Sequence, residues 1–599
     1  MRPETRPIPV PEIAAIDIEN GLDGKTNLVG VIEPSGSYHA FSNEAGALDF
    51  LVSRKVDGEC CFAHNGSGFD FQRMLPAMVA SQIPFTWALQ GGKLISGILG
   101  DRKHGLRFAD SALLYRSSLR KLGEDLGLHK GETWEVEGQA LQDYNERDCE
   151  IVVQGMRLLA NVGAKFGFAL RPTPAACALD YIRRHLEKPL YLPISEAFAP
   201  GYFGGRVLLL QPEAGAGFCV DVNSLYPWAM AQRLPYDEPT TYPGPFTQAE
   251  ARRLFRDSIG FASCRVKIAP VAVPPLPVRG KNRTIYPVGT FDGLWTFADL
   301  ASLGANDKVW IRRCWVFPKA CAFLRETIED LYARRKTTTN VAEKAAIKIL
   351  LNSTYGKFAE HCEKTSLTSE ETSDACPVVN EAGVWFLYKE HKTTRPAARS
   401  PAVASYITAL ARQRWHALFN QYQHKTIYLD TDSAYLLGTP EEYPDLPIDD
   451  GLGNLKIESR FTEFRGLAPK VYGYRKISGD CEIRAKGMPM GGSFERIGNE
   501  LRTERPGKLP CCYAKHGLDF LRGLAEGCIV AASRPVSFAL AGANAPGSWV
   551  TIKRELRAGP DSGRTWAAGM VRTAAPVWER DETTCFTGKP YTDEETEED

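Results

Sequence analysis

The sequence lacks two features that would assign it to a class directly. None of its 599 residues lies in an apolar run close to the roughly 20 residues that a membrane-spanning helix needs. The fifteen cysteines include no CxxC pair, which argues against a zinc module and for free thiols in a reducing compartment. The N-terminal segment also has no apolar signal core. We therefore expect a cytoplasmic protein with no membrane partner.

An excess of charge is absent too, because 72 Lys and Arg residues balance 72 Asp and Glu residues. Six of the seven residues in Asp593–Asp599 are acidic, so the rest of the chain is mildly basic. Charge alone therefore neither indicates nor excludes a nucleic-acid partner. Internal repeats and low-complexity segments are also missing. The length favours several domains, and the first 165 or so residues alternate strands with helices as α/β domains do.

Two acidic motifs are present. The first is the segment Gly217–Pro227, which reads GFCVDVNSLYP. Its apolar strand ends at Asp221, and the following Asn and Ser predict a turn before a helix near Trp228. The second is KTIYLDTDSAYLL, in which two β-rich runs flank Asp430 and Asp432. Alternation along the strand puts these two carboxylates on the same side of the backbone. Alone, this pair would indicate only an acidic surface turn.

A helix predicted at Ala342–Phe358 changes that interpretation. Asn340 and Glu343 predict a capping box at its start. Lysines neutralise phosphate and an aromatic ring stacks on a base. Two lysines, an amide and an aromatic residue recur on one face of the helix, at helical spacing: Lys344, Lys348, Asn352 and Tyr355. This face therefore fits a nucleoside triphosphate.

Transfer of a nucleotidyl group would use both features. The reaction needs charge neutralisation and in-line positioning rather than covalent chemistry from the protein. Two Mg²⁺ ions about 4 Å apart, with Mn²⁺ as the alternative ion, can activate a 3′-hydroxyl and hold the leaving pyrophosphate. The sequence therefore predicts a synthesis site at Asp221, Asp430 and Asp432.

Three segments, in this order, resemble the A, B and C motifs of family B DNA polymerases: DVNSLYP, KILLNSTYG and YLDTDS. The similarity is greater to the protein-primed branch, of the phi29 phage type. Five further segments carry that similarity: YFGGR (Tyr202–Arg206), LPYDEP (Leu234–Pro239), YITALAR (Tyr406–Arg412), KVYGY (Lys470–Tyr474) and AKGM (Ala485–Met488). The resemblance extends from about Ala14 to Met488.

The resemblance implies a role for each of these residues. Asp221 and Asp432 would bridge two metal ions, and Asp430 would be a needed carboxylate that is less directly a ligand. The implied nucleotide-binding residues are Ser224, Leu225, Tyr226, Lys336, Lys344, Lys348, Asn352 and Tyr355. Of these, Tyr226 would exclude a 2′-hydroxyl. The implied DNA-binding residues are Tyr202, Gly204, Gly205, Arg206, Thr408, Arg412, Lys470 and Tyr472.

The N-terminal region carries a second acidic set. Asp17 and Glu19 lie two residues apart on an apolar strand, so their carboxylates share a face. Asp70 follows in AHNGSGFD, and DYNERD puts Tyr144 and Asp148 four residues apart on one helix face. Four carboxylates and a tyrosine can bind two metal ions and orient a water molecule. That arrangement suits hydrolytic cleavage of a phosphodiester.

In this order the N-terminal segments resemble the three motifs of DnaQ-like 3′–5′ proofreading exonucleases. The resemblance implies two further Mg²⁺ ions, held by Asp17, Glu19, Asp70 and Asp148. Lys130 in HKGE matches a catalytic lysine of the branch. The implied contacts with DNA are His64, Asn65, Ser118 and Leu119, the last two within SLRKL.

The expected fold is α/β and α+β and multidomain. A ribonuclease H-like exonuclease domain at 1–172 would precede a right-hand polymerase domain at 173–599. The polymerase parts would be palm segments at 190–240 and 400–488, fingers at about 319–358, and a thumb with a C-terminal extension at about 489–599. Two branch-specific insertions are expected at about 241–318 and 360–397, the second resembling one that encircles DNA. Helices are predicted at about 319–336, 341–358 and 402–420, and a hairpin at Thr426–Leu437.

The resemblance implies a template-directed DNA polymerase that extends a 3′-hydroxyl, proofreads, displaces strands processively and initiates on a terminal protein. The expected partners are template-primer DNA, dNTPs and that terminal protein, and the expected state is a monomer. A phage, virus or linear plasmid would supply the genome, with the host cytoplasm as the location. Three alternatives stay open: a primer-independent polymerase of the same branch, a reverse transcriptase or primase-like RNA polymerase, and an inactive DNA-binding scaffold. The second insertion could also be a plain surface hairpin.

Overall fold

The computed structural model describes the chain in segments. They are residues 8, 10–20, 26–54, 59–90, 93–101, 104–131, 137–185, 191–211, 213–279, 284–360, 362–370, 375–379, 387–393, 396 and 398–485, with six strands after residue 499. The AKGM motif beyond Ala485, most of the predicted thumb and the acidic end Asp593–Asp599 lie outside the described residues. None of the described helices combines the length and the apolar character that crossing a membrane requires.

In chain order, the described helices and strands occupy three stretches of the sequence. From residue 13 to 185 they are β1 (Ile13–Asn20), β2 (Thr26–Ile32), β3 (Tyr38–Phe41), α1 (Glu44–Ser53), β4 (Cys60–Ala63), α2 (Asp70–Ala80), β5 (Phe85–Gln90), β6 (Lys93–Leu99), β7 (Leu106–Asp110), α3 (Ser111–Tyr115), α4 (Leu119–Leu126), α5 (Gln139–Phe166) and α6 (Pro174–His185). From residue 207 to 337 they are β8 (Val207–Leu209), β9 (Glu213–Ala214), β10 (Gly217–Val222), α7 (Leu225–Met230), β11 (Thr240–Pro243), α8 (Gln248–Asp257), β12 (Gly260–Ile268), β13 (Val278–Arg279), β14 (Thr284–Ile285), β15 (Val288–Thr296), α9 (Phe297–Leu300), β16 (Lys308–Val316) and α10 (Arg325–Thr337).

The elements after residue 340 complete the set. They are α11 (Val341–Phe358), β17 (Glu363–Thr368), β18 (Ala375–Val379), β19 (Leu387–Thr393), α12 (Pro401–Phe419), β20 (Thr426–Asp430), β21 (Ser433–Leu437), β22 (Leu455–Ala468), β23 (Val471–Lys476), β24 (Cys481–Ala485), β25 (Glu500–Lys508), β26 (Trp549–Arg557), β27 (Thr565–Ala567), β28 (Met570–Arg572), β29 (Val577–Arg580) and β30 (Cys585–Lys589).

The chain forms two compact units, and each is discontinuous in sequence. The first unit comprises Met1–Pro189, Ala333–Ala397 and Lys508–Val550. The second comprises Leu190–Tyr332, Ala398–Gly507 and Thr551–Asp599. Helix α10 therefore passes from one unit into the other, and the polymerase domain predicted at 173–599 has segments in both. The predicted subdomain boundaries stay predictions.

The first unit contains a mixed ten-stranded sheet in the order β18-β19-β17-β5-β6-β7-β4-β1-β2-β3. Strands β1, β4 and β7 are parallel at its centre, and the neighbouring pairs are antiparallel. The apolar start of β1, Ile13–Ile16, is almost fully buried, as expected for a central strand. Helix α5 packs on β1 and β2, which brings the acidic residues of α5 to the acidic end of β1.

The segment predicted as the second insertion belongs to this sheet. Strand β17 pairs antiparallel with β5, and Leu367 lies opposite Trp87 in the same buried core. The Thr368 hydroxyl donates to the Phe85 backbone oxygen at 3.1 Å. The Phe85 backbone amide in turn donates to the Ser369 hydroxyl at 2.9 Å. The insertion is thus joined to the N-terminal strands by backbone pairing, side-chain hydrogen bonds and a shared core.

Truncation of Leu367 tests this connection. Leu367→Ala is expected to lower the free energy of unfolding of the first unit by about 2–4 kcal/mol, because it leaves a cavity beside Trp87. Glu363→Ala, on the exposed part of the same strand, should change it by no more than about 0.5 kcal/mol. Urea unfolding gives the energies, and hydrogen exchange of Phe85–Gln90 should accelerate only in the first variant. Equal effects of the two substitutions would contradict a shared core.

The second unit is built around an antiparallel eight-stranded sheet. Its order is β24-β23-β22-β10-β21-β20-β8, and β9 pairs with β22. Strand β10 pairs with β21 and β22 on its two sides, so Phe218 and Val220 are fully buried. A separate sheet, β11-β16-β12-β15-β28-β27, contains the segment predicted as the first insertion. Four of the six described strands after residue 499 form a further sheet, in the order β25-β26-β30-β29.

Three predicted elements are confirmed and one is corrected. The helix at 341–358, the helix near 402–420 and the Thr426–Leu437 hairpin are present as α11, α12 and the β20–β21 pair. The helix predicted from 319 begins only at Arg325. Residues before it form a turn, and Cys321 instead makes a β-bridge with Leu234. Half of the predicted capping box is present, since Asn340 Oδ1 accepts from the Glu343 amide at 3.1 Å. The Glu343 carboxylate accepts instead from the Thr338 hydroxyl, at 2.6 Å.

Candidate active sites

Three carboxylates meet in the first unit. Alternation along β1 puts Asp17 and Glu19 on one side of the strand, and α5 places Asp148 beside them. One oxygen from each lies within 4.8 Å of the others. Among the residues that the structure describes, this is the only such group of three acidic, histidine or cysteine residues. The spacing between the oxygens is suitable for one divalent cation bound in common.

The remaining predicted carboxylate of this region lies outside the group of three. Asp70 begins α2 and is buried, and its Oδ1 accepts from the Ile18 backbone amide at 3.0 Å. Burial raises the pKa of Asp70, and the nearby Asp17 carboxylate raises it further. Asp70 is therefore anchored to the strand that carries the first two carboxylates.

Lys130 and Tyr144 complete the first site. The Lys130 ammonium forms an ion pair with Asp148 Oδ2 and lies 4.5 Å from the centre of the Tyr144 ring. Burial opposes the charge on Lys130, but Asp148 and Tyr144 together outweigh burial, and the pKa of the ammonium is raised. Asp148 Oδ1 is buried without a hydrogen-bond partner. An unpartnered buried carboxylate oxygen in an acidic group is what a site for a divalent cation would present.

The electrostatics of the group also favour a cation. Burial, followed by repulsion from Glu19 and Asp148, raises the pKa of Asp17. Burial and repulsion from Asp148 raise the pKa of Glu19 from 4.5 to about 7. Burial raises the pKa of Asp148 as well, although Lys130 partly offsets it. Ionisation of all three at neutral pH is therefore costly, and a bound divalent cation would relieve that cost.

The raised pKa of Glu19 predicts a loss of stability with rising pH in the absence of metal. Between pH 4.5 and about 7 the folded protein keeps a proton on Glu19 that the unfolded chain has lost, so folding weakens as pH rises. Glu19→Gln removes this term. In EDTA its melting temperature should match the parent at pH 5 and exceed it by about 2 °C or more at pH 8. Mg²⁺ at pH 8 should then stabilise the parent more than the variant. A constant difference from pH 5 to pH 8 would contradict the shift.

His64 and Asn65 precede α2 beside this group. The His64 ring lies between the Ser111 hydroxyl and the Ser117 backbone oxygen, each at 3.0 Å, and burial lowers the pKa of the ring. Asn65 has a φ of 67°, and its backbone amide donates to Asp110 at 2.9 Å. The His64 ring therefore helps to pack this loop, whereas the Asn65 side chain is exposed.

Ser118 and Leu119 have structural roles at the start of α4. The Ser118 hydroxyl accepts from the Lys121 backbone amide at 3.2 Å and caps the helix. The Leu119 side chain is buried. Of this predicted pair, only Ser118 is exposed to solvent.

The predicted carboxylates of the second unit lie at the ends of paired strands. Asp221, near the end of β10, is opposite Ser433 on β21, and Asp430 ends β20. Thr431 forms the turn with a φ of 60°, and Asp432 follows it. The three carboxylates do not form a group as close as that of the first unit, among the residues described. The shared side predicted for Asp430 and Asp432 assumed regular strand alternation, and the left-handed turn at Thr431 interrupts that alternation.

Asp430 has partners for both of its oxygens. The Tyr428 hydroxyl donates to Oδ2 at 3.0 Å, and the Lys470 ammonium pairs with Oδ1. The Lys470 backbone amide donates to the Tyr428 hydroxyl at 2.9 Å. These contacts tie Asp430 to Lys470, in the turn between β22 and β23.

Asp221 and Asp432 influence one another electrostatically. Burial, then Asp432, then Glu458 raise the pKa of Asp221 from 3.8 to about 7. The Asp432 side chain is accessible to solvent, yet partial burial of its carboxylate raises the pKa of that group. Repulsion from Asp430 raises this pKa further. Glu458 on β22 also contributes to both shifts, although sequence analysis did not select it. Its relevance follows from strand pairing, because β22 lies beside β10 with Lys456 opposite Asp221.

The residues after Asp221 are only partly accessible. Ser224 has a φ of 53° and precedes α7 without capping it through its side chain. The Leu225 side chain is buried in the core, and Tyr226 packs against that core while remaining half-buried. A direct nucleotide contact from Leu225 is therefore limited to its backbone.

Tyr202–Arg206 forms a loop beside the acidic turn. A Cβ at Gly205 would lie 2.6 Å from Thr431 Cγ2, so glycine is needed for this close approach. At Gly204 a Cβ would meet nothing, which leaves that position open. The Arg206 side chain is buried, donates to the Pro275 backbone oxygen at 2.8 Å and stacks on the Tyr286 ring. Arg206 therefore positions the loop, and its predicted direct contact with DNA is corrected because the side chain is buried.

Arg412 also supports this loop from inside the protein, and Thr408 lies one turn earlier on the same helix. Arg412 is 2% exposed and forms a two-pronged ion pair with Asp299, at 2.9 and 3.0 Å. It also donates to the backbone oxygens of Phe203 and Gly204, at 2.7 and 2.9 Å. The Thr408 hydroxyl bonds to the helix backbone and is buried. Both residues were predicted to contact DNA, but both side chains are buried and so are inaccessible to it. Arg412 bonds to the loop, whereas Thr408 bonds to its own helix.

Tyr472, also predicted to contact DNA, is corrected for the same reason. It is buried among aromatic rings, stacked on Phe464, and its hydroxyl lies 3.1 Å from that of Tyr435. Lys470, two residues earlier, is half-buried with its ammonium at Asp430. Of the two residues of KVYGY that were predicted to contact DNA, Lys470 is thus accessible and Tyr472 is part of a buried aromatic cluster.

The predicted triphosphate face is described within the first unit. Lys344 and Lys348 on α11 are exposed, and Asn352 and Tyr355 are half-buried. Helix α11 packs against α5 and α6 through its other face. Lys336, in the last turn of α10, is exposed as well. The helix therefore presents the face that its sequence pattern predicts.

Known proteins share parts of this sequence. A family model described as DNA polymerase type B, organellar and viral, matches residues 128–384. The DNA polymerase of Bacillus phage phi29 is 29% identical over 275 residues, covering 44% of this chain and 46% of that protein. A probable DNA polymerase of Neurospora intermedia is 29% identical over 314 residues, covering 45% of this chain and 30% of that protein. The chain thus spans about half, or less, of the length of these curated relatives.

The fold is similar to solved structures of phi29 DNA polymerase. The complex of that enzyme with primer-template DNA and incoming nucleotide substrates has a TM-score of 0.67 at 20% identity, covering 83% of this chain and 96% of that chain. Its complex with single-stranded DNA has a TM-score of 0.65 at 19% identity, covering 83% of this chain and 97% of that chain. The mixed α/β multidomain fold predicted for this chain is therefore confirmed. Together with the family model and the curated relatives, these structures confirm the resemblance of this chain to the protein-primed, phi29-type branch of family B DNA polymerases.

Proposed function

We propose that this chain is a template-directed DNA polymerase that adds dNTPs to a 3′-hydroxyl and removes mismatched ends by 3′–5′ exonuclease activity. One observation carries the proposal: two separate carboxylate groups, one in each unit, with different cationic side chains beside them. The first group has Lys130 paired with Asp148, and the second has Lys470 paired with Asp430. Two groups of this kind suit two phosphodiester reactions of opposite direction.

In the second unit, Asp221 and Asp432 would hold the metal ions of synthesis. Bound Mg²⁺, two ions at this site with Mn²⁺ as the alternative, would lower the pKa of the 3′-hydroxyl and stabilise the pyrophosphate that leaves. Lys470 would position the primer end and keep Asp430 oriented. The Asp221 pKa of about 7 means that a cation and ionised carboxylate would stabilise each other near neutral pH.

The incoming dNTP would contact the residues that the sequence motifs assign to nucleotide binding. Three exposed lysines would contact phosphate oxygens: Lys336, Lys344 and Lys348. Asn352 and Tyr355 would lie near the base pair that is being formed. Ser224, with the backbone of Leu225, would bind the triphosphate. The half-buried ring of Tyr226 would occupy the space that a 2′-hydroxyl needs.

In the first unit, the group of three with Asp70 would hold two metal ions for hydrolysis. Bound Mg²⁺ would supply an activated water at the terminal phosphodiester. Tyr144, whose ring lies at the Lys130 ammonium, would orient that water. Lys130 would keep Asp148 in place and balance part of the negative charge. Asn65 and Ser118, both exposed, would contact the single-stranded end.

Partners and genome follow from the resemblance. The solved complexes of phi29 DNA polymerase support primer-template DNA and dNTPs as ligands of this chain. The protein-primed branch supports initiation on a terminal protein, processive strand displacement, a monomeric state, and replication of a phage, viral or linear plasmid genome in a host cytoplasm. A proofreading domain near 1–172, a palm at 190–240 and 400–488, fingers at about 319–358 and a thumb after 489 belong to the same proposal.

Extension of a primed circular single strand tests the proposal. The purified chain with Mg²⁺ and dNTPs is expected to make products longer than one circle length, including when a DNA trap limits each enzyme molecule to one binding event. With rNTPs alone, extension should fall by at least about 100-fold, because Tyr226 would exclude the 2′-hydroxyl. Without dNTPs, the same chain should shorten the primer from its 3′ end. No extension in Mg²⁺ or Mn²⁺, or equal use of rNTPs, would contradict the proposal.

A further inference from the structure

Asp17 has a hydrogen-bonding neighbour outside the sequence motifs. Asn145 lies on α5 between Tyr144 and Asp148, and its side chain is completely buried. Its amide nitrogen donates to Asp17 Oδ2 at 2.8 Å and to the Asp17 backbone oxygen at 3.1 Å. The two N–H groups of one amide therefore hold both the backbone and the carboxylate of Asp17.

Tyr38 on β3 supports the amide from the other side. Its hydroxyl donates to Asn145 Oδ1 at 3.0 Å. If the amide were turned over, its oxygen would face the Asp17 carboxylate, and two acceptors would oppose each other. The contact from Tyr38 thus reinforces the orientation in which both N–H groups of Asn145 face Asp17.

The neighbouring strand leaves room for this arrangement. Gly30 on β2 is the direct partner of Asp17 across the β1–β2 ladder. A Cβ at Gly30 would lie 1.6 Å from Asn145 Oδ1, so a side chain there would displace the amide. Gly30 on β2 therefore leaves the space, and Tyr38 on β3 gives the hydrogen bond, that keep the Asn145 amide on α5 directed at Asp17 Oδ2.

We propose that Tyr38 and Asn145 form a positioning pair that holds the Asp17 carboxylate in the orientation a divalent cation requires at the first-unit site. The inference rests on the proposed exonuclease function of that site. A neutral amide suits this place, because Asp17, Glu19 and Asp148 already repel one another. The amide contributes two donors without adding charge, and donors that orient a ligand carboxylate strengthen metal binding.

Mn²⁺ binding, measured by isothermal titration calorimetry on the full-length chain, tests the pair directly. All proteins carry Asp221→Asn and Asp432→Asn, so that the second unit contributes little to the heat. Asn145→Leu is expected to weaken Mn²⁺ binding by about 10-fold or more, and Tyr38→Phe by about 3-fold. The double variant should be no weaker than Asn145→Leu alone, since Tyr38 acts through Asn145.

A matched control separates this role from a general loss of packing. Tyr115→Phe removes another half-buried hydroxyl of the first unit, which donates to the Gly155 backbone oxygen at 2.6 Å and touches no carboxylate of the group. This variant should bind Mn²⁺ as the parent does. In proteins with Asp221 and Asp432 intact, primer extension should be unchanged by Tyr38→Phe, while the Mn²⁺ concentration needed for 3′ degradation rises.

Parent-like Mn²⁺ affinity in both Asn145→Leu and Tyr38→Phe would overturn the proposal, even if nuclease activity fell. If Asn145→Leu does not fold, Tyr38→Phe decides: weakened binding supports the pair, and unchanged binding overturns it. Additive losses in the double variant would also overturn it. If the parent showed no Mn²⁺ binding that Asp17→Asn removes, the proposed exonuclease site itself would be overturned, and the pair with it.

Discussion

Asp432→Asn is expected to reduce primer extension by about 1,000-fold or more while 3′ degradation of single strands continues at the parent rate. The substitution removes one negative charge from the group formed with Asp221 and Glu458, where the metal ions of synthesis would bind. Loss of a ligand charge at the reacting phosphate weakens stabilisation of the transition state, which costs factors of this size. Single-turnover extension of a labelled primer, with the same primer incubated without dNTPs, measures both activities.

A second aspartate of the same unit provides the control. Asp292 on β15 is exposed and pairs with Arg265 and Arg312, in a different sheet from β10 and β21. Asp292→Asn should leave both extension and degradation within about twofold of the parent, because exposed ion pairs contribute little to stability. Extension that survives Asp432→Asn, or parallel loss of both activities, would rule out a separate synthesis site at this turn.

Asp17→Asn should have the opposite effect: loss of 3′ degradation by about 1,000-fold, with extension on a matched primer unchanged. Asp17 contributes one of the three oxygens within 4.8 Å, and an amide in its place would bind a cation more weakly. Extension from a mismatched primer end should persist without removal of the mismatch. Gel analysis of matched and mismatched primers, at equal enzyme concentrations, distinguishes these outcomes.

Asp49→Asn is the corresponding control in the first unit. Asp49 is exposed on α1, outside the group of three. Its replacement should change neither degradation nor extension. If Asp17→Asn lowered extension as strongly as degradation, the two reactions would share a site, and the proposal of one site in each unit would fail.

The sequence predicted the elements that carry strong local signals. Helix α11 was predicted within one residue of its bounds, because Asn340 caps it and its polar residues recur at helical spacing. The acidic hairpin was predicted from two β-rich runs around Asp430 and Asp432. Local patterns of this kind are determined by residues that are close in sequence, so they can be recognised without knowledge of the fold.

Burial of polar residues was not predictable in the same way. Arg206, Thr408 and Arg412 were predicted to contact DNA, yet Arg412 is paired with Asp299, 113 residues earlier in the chain. A motif indicates that a residue matters without indicating whether it touches DNA or supports what does. The buried ion pair also explains why arginine suits this position, since its fork binds a carboxylate and two backbone oxygens together.

Long-range partners within the sites were missed for a related reason. Asn145 lies between two selected residues of its motif, but its contacts are with β1 and β3, more than 100 positions earlier. Glu458 becomes relevant only because β22 pairs with β10. Neither residue has a distinctive local pattern. Strand pairing and helix packing, which depend on the whole fold, determine their roles.

The pairing of β17 with β5 has a consequence during synthesis of the protein. Phe85 bonds to Ser369, 284 positions later in the chain. At roughly 5–20 residues per second, a ribosome needs about 15–60 s to make that interval. Throughout this time the outer edge of β5, with its open backbone groups, lacks its native partner on the emerging chain. The N-terminal strands therefore remain exposed to mispairing until β17 leaves the ribosome, and slower translation would prolong that exposure.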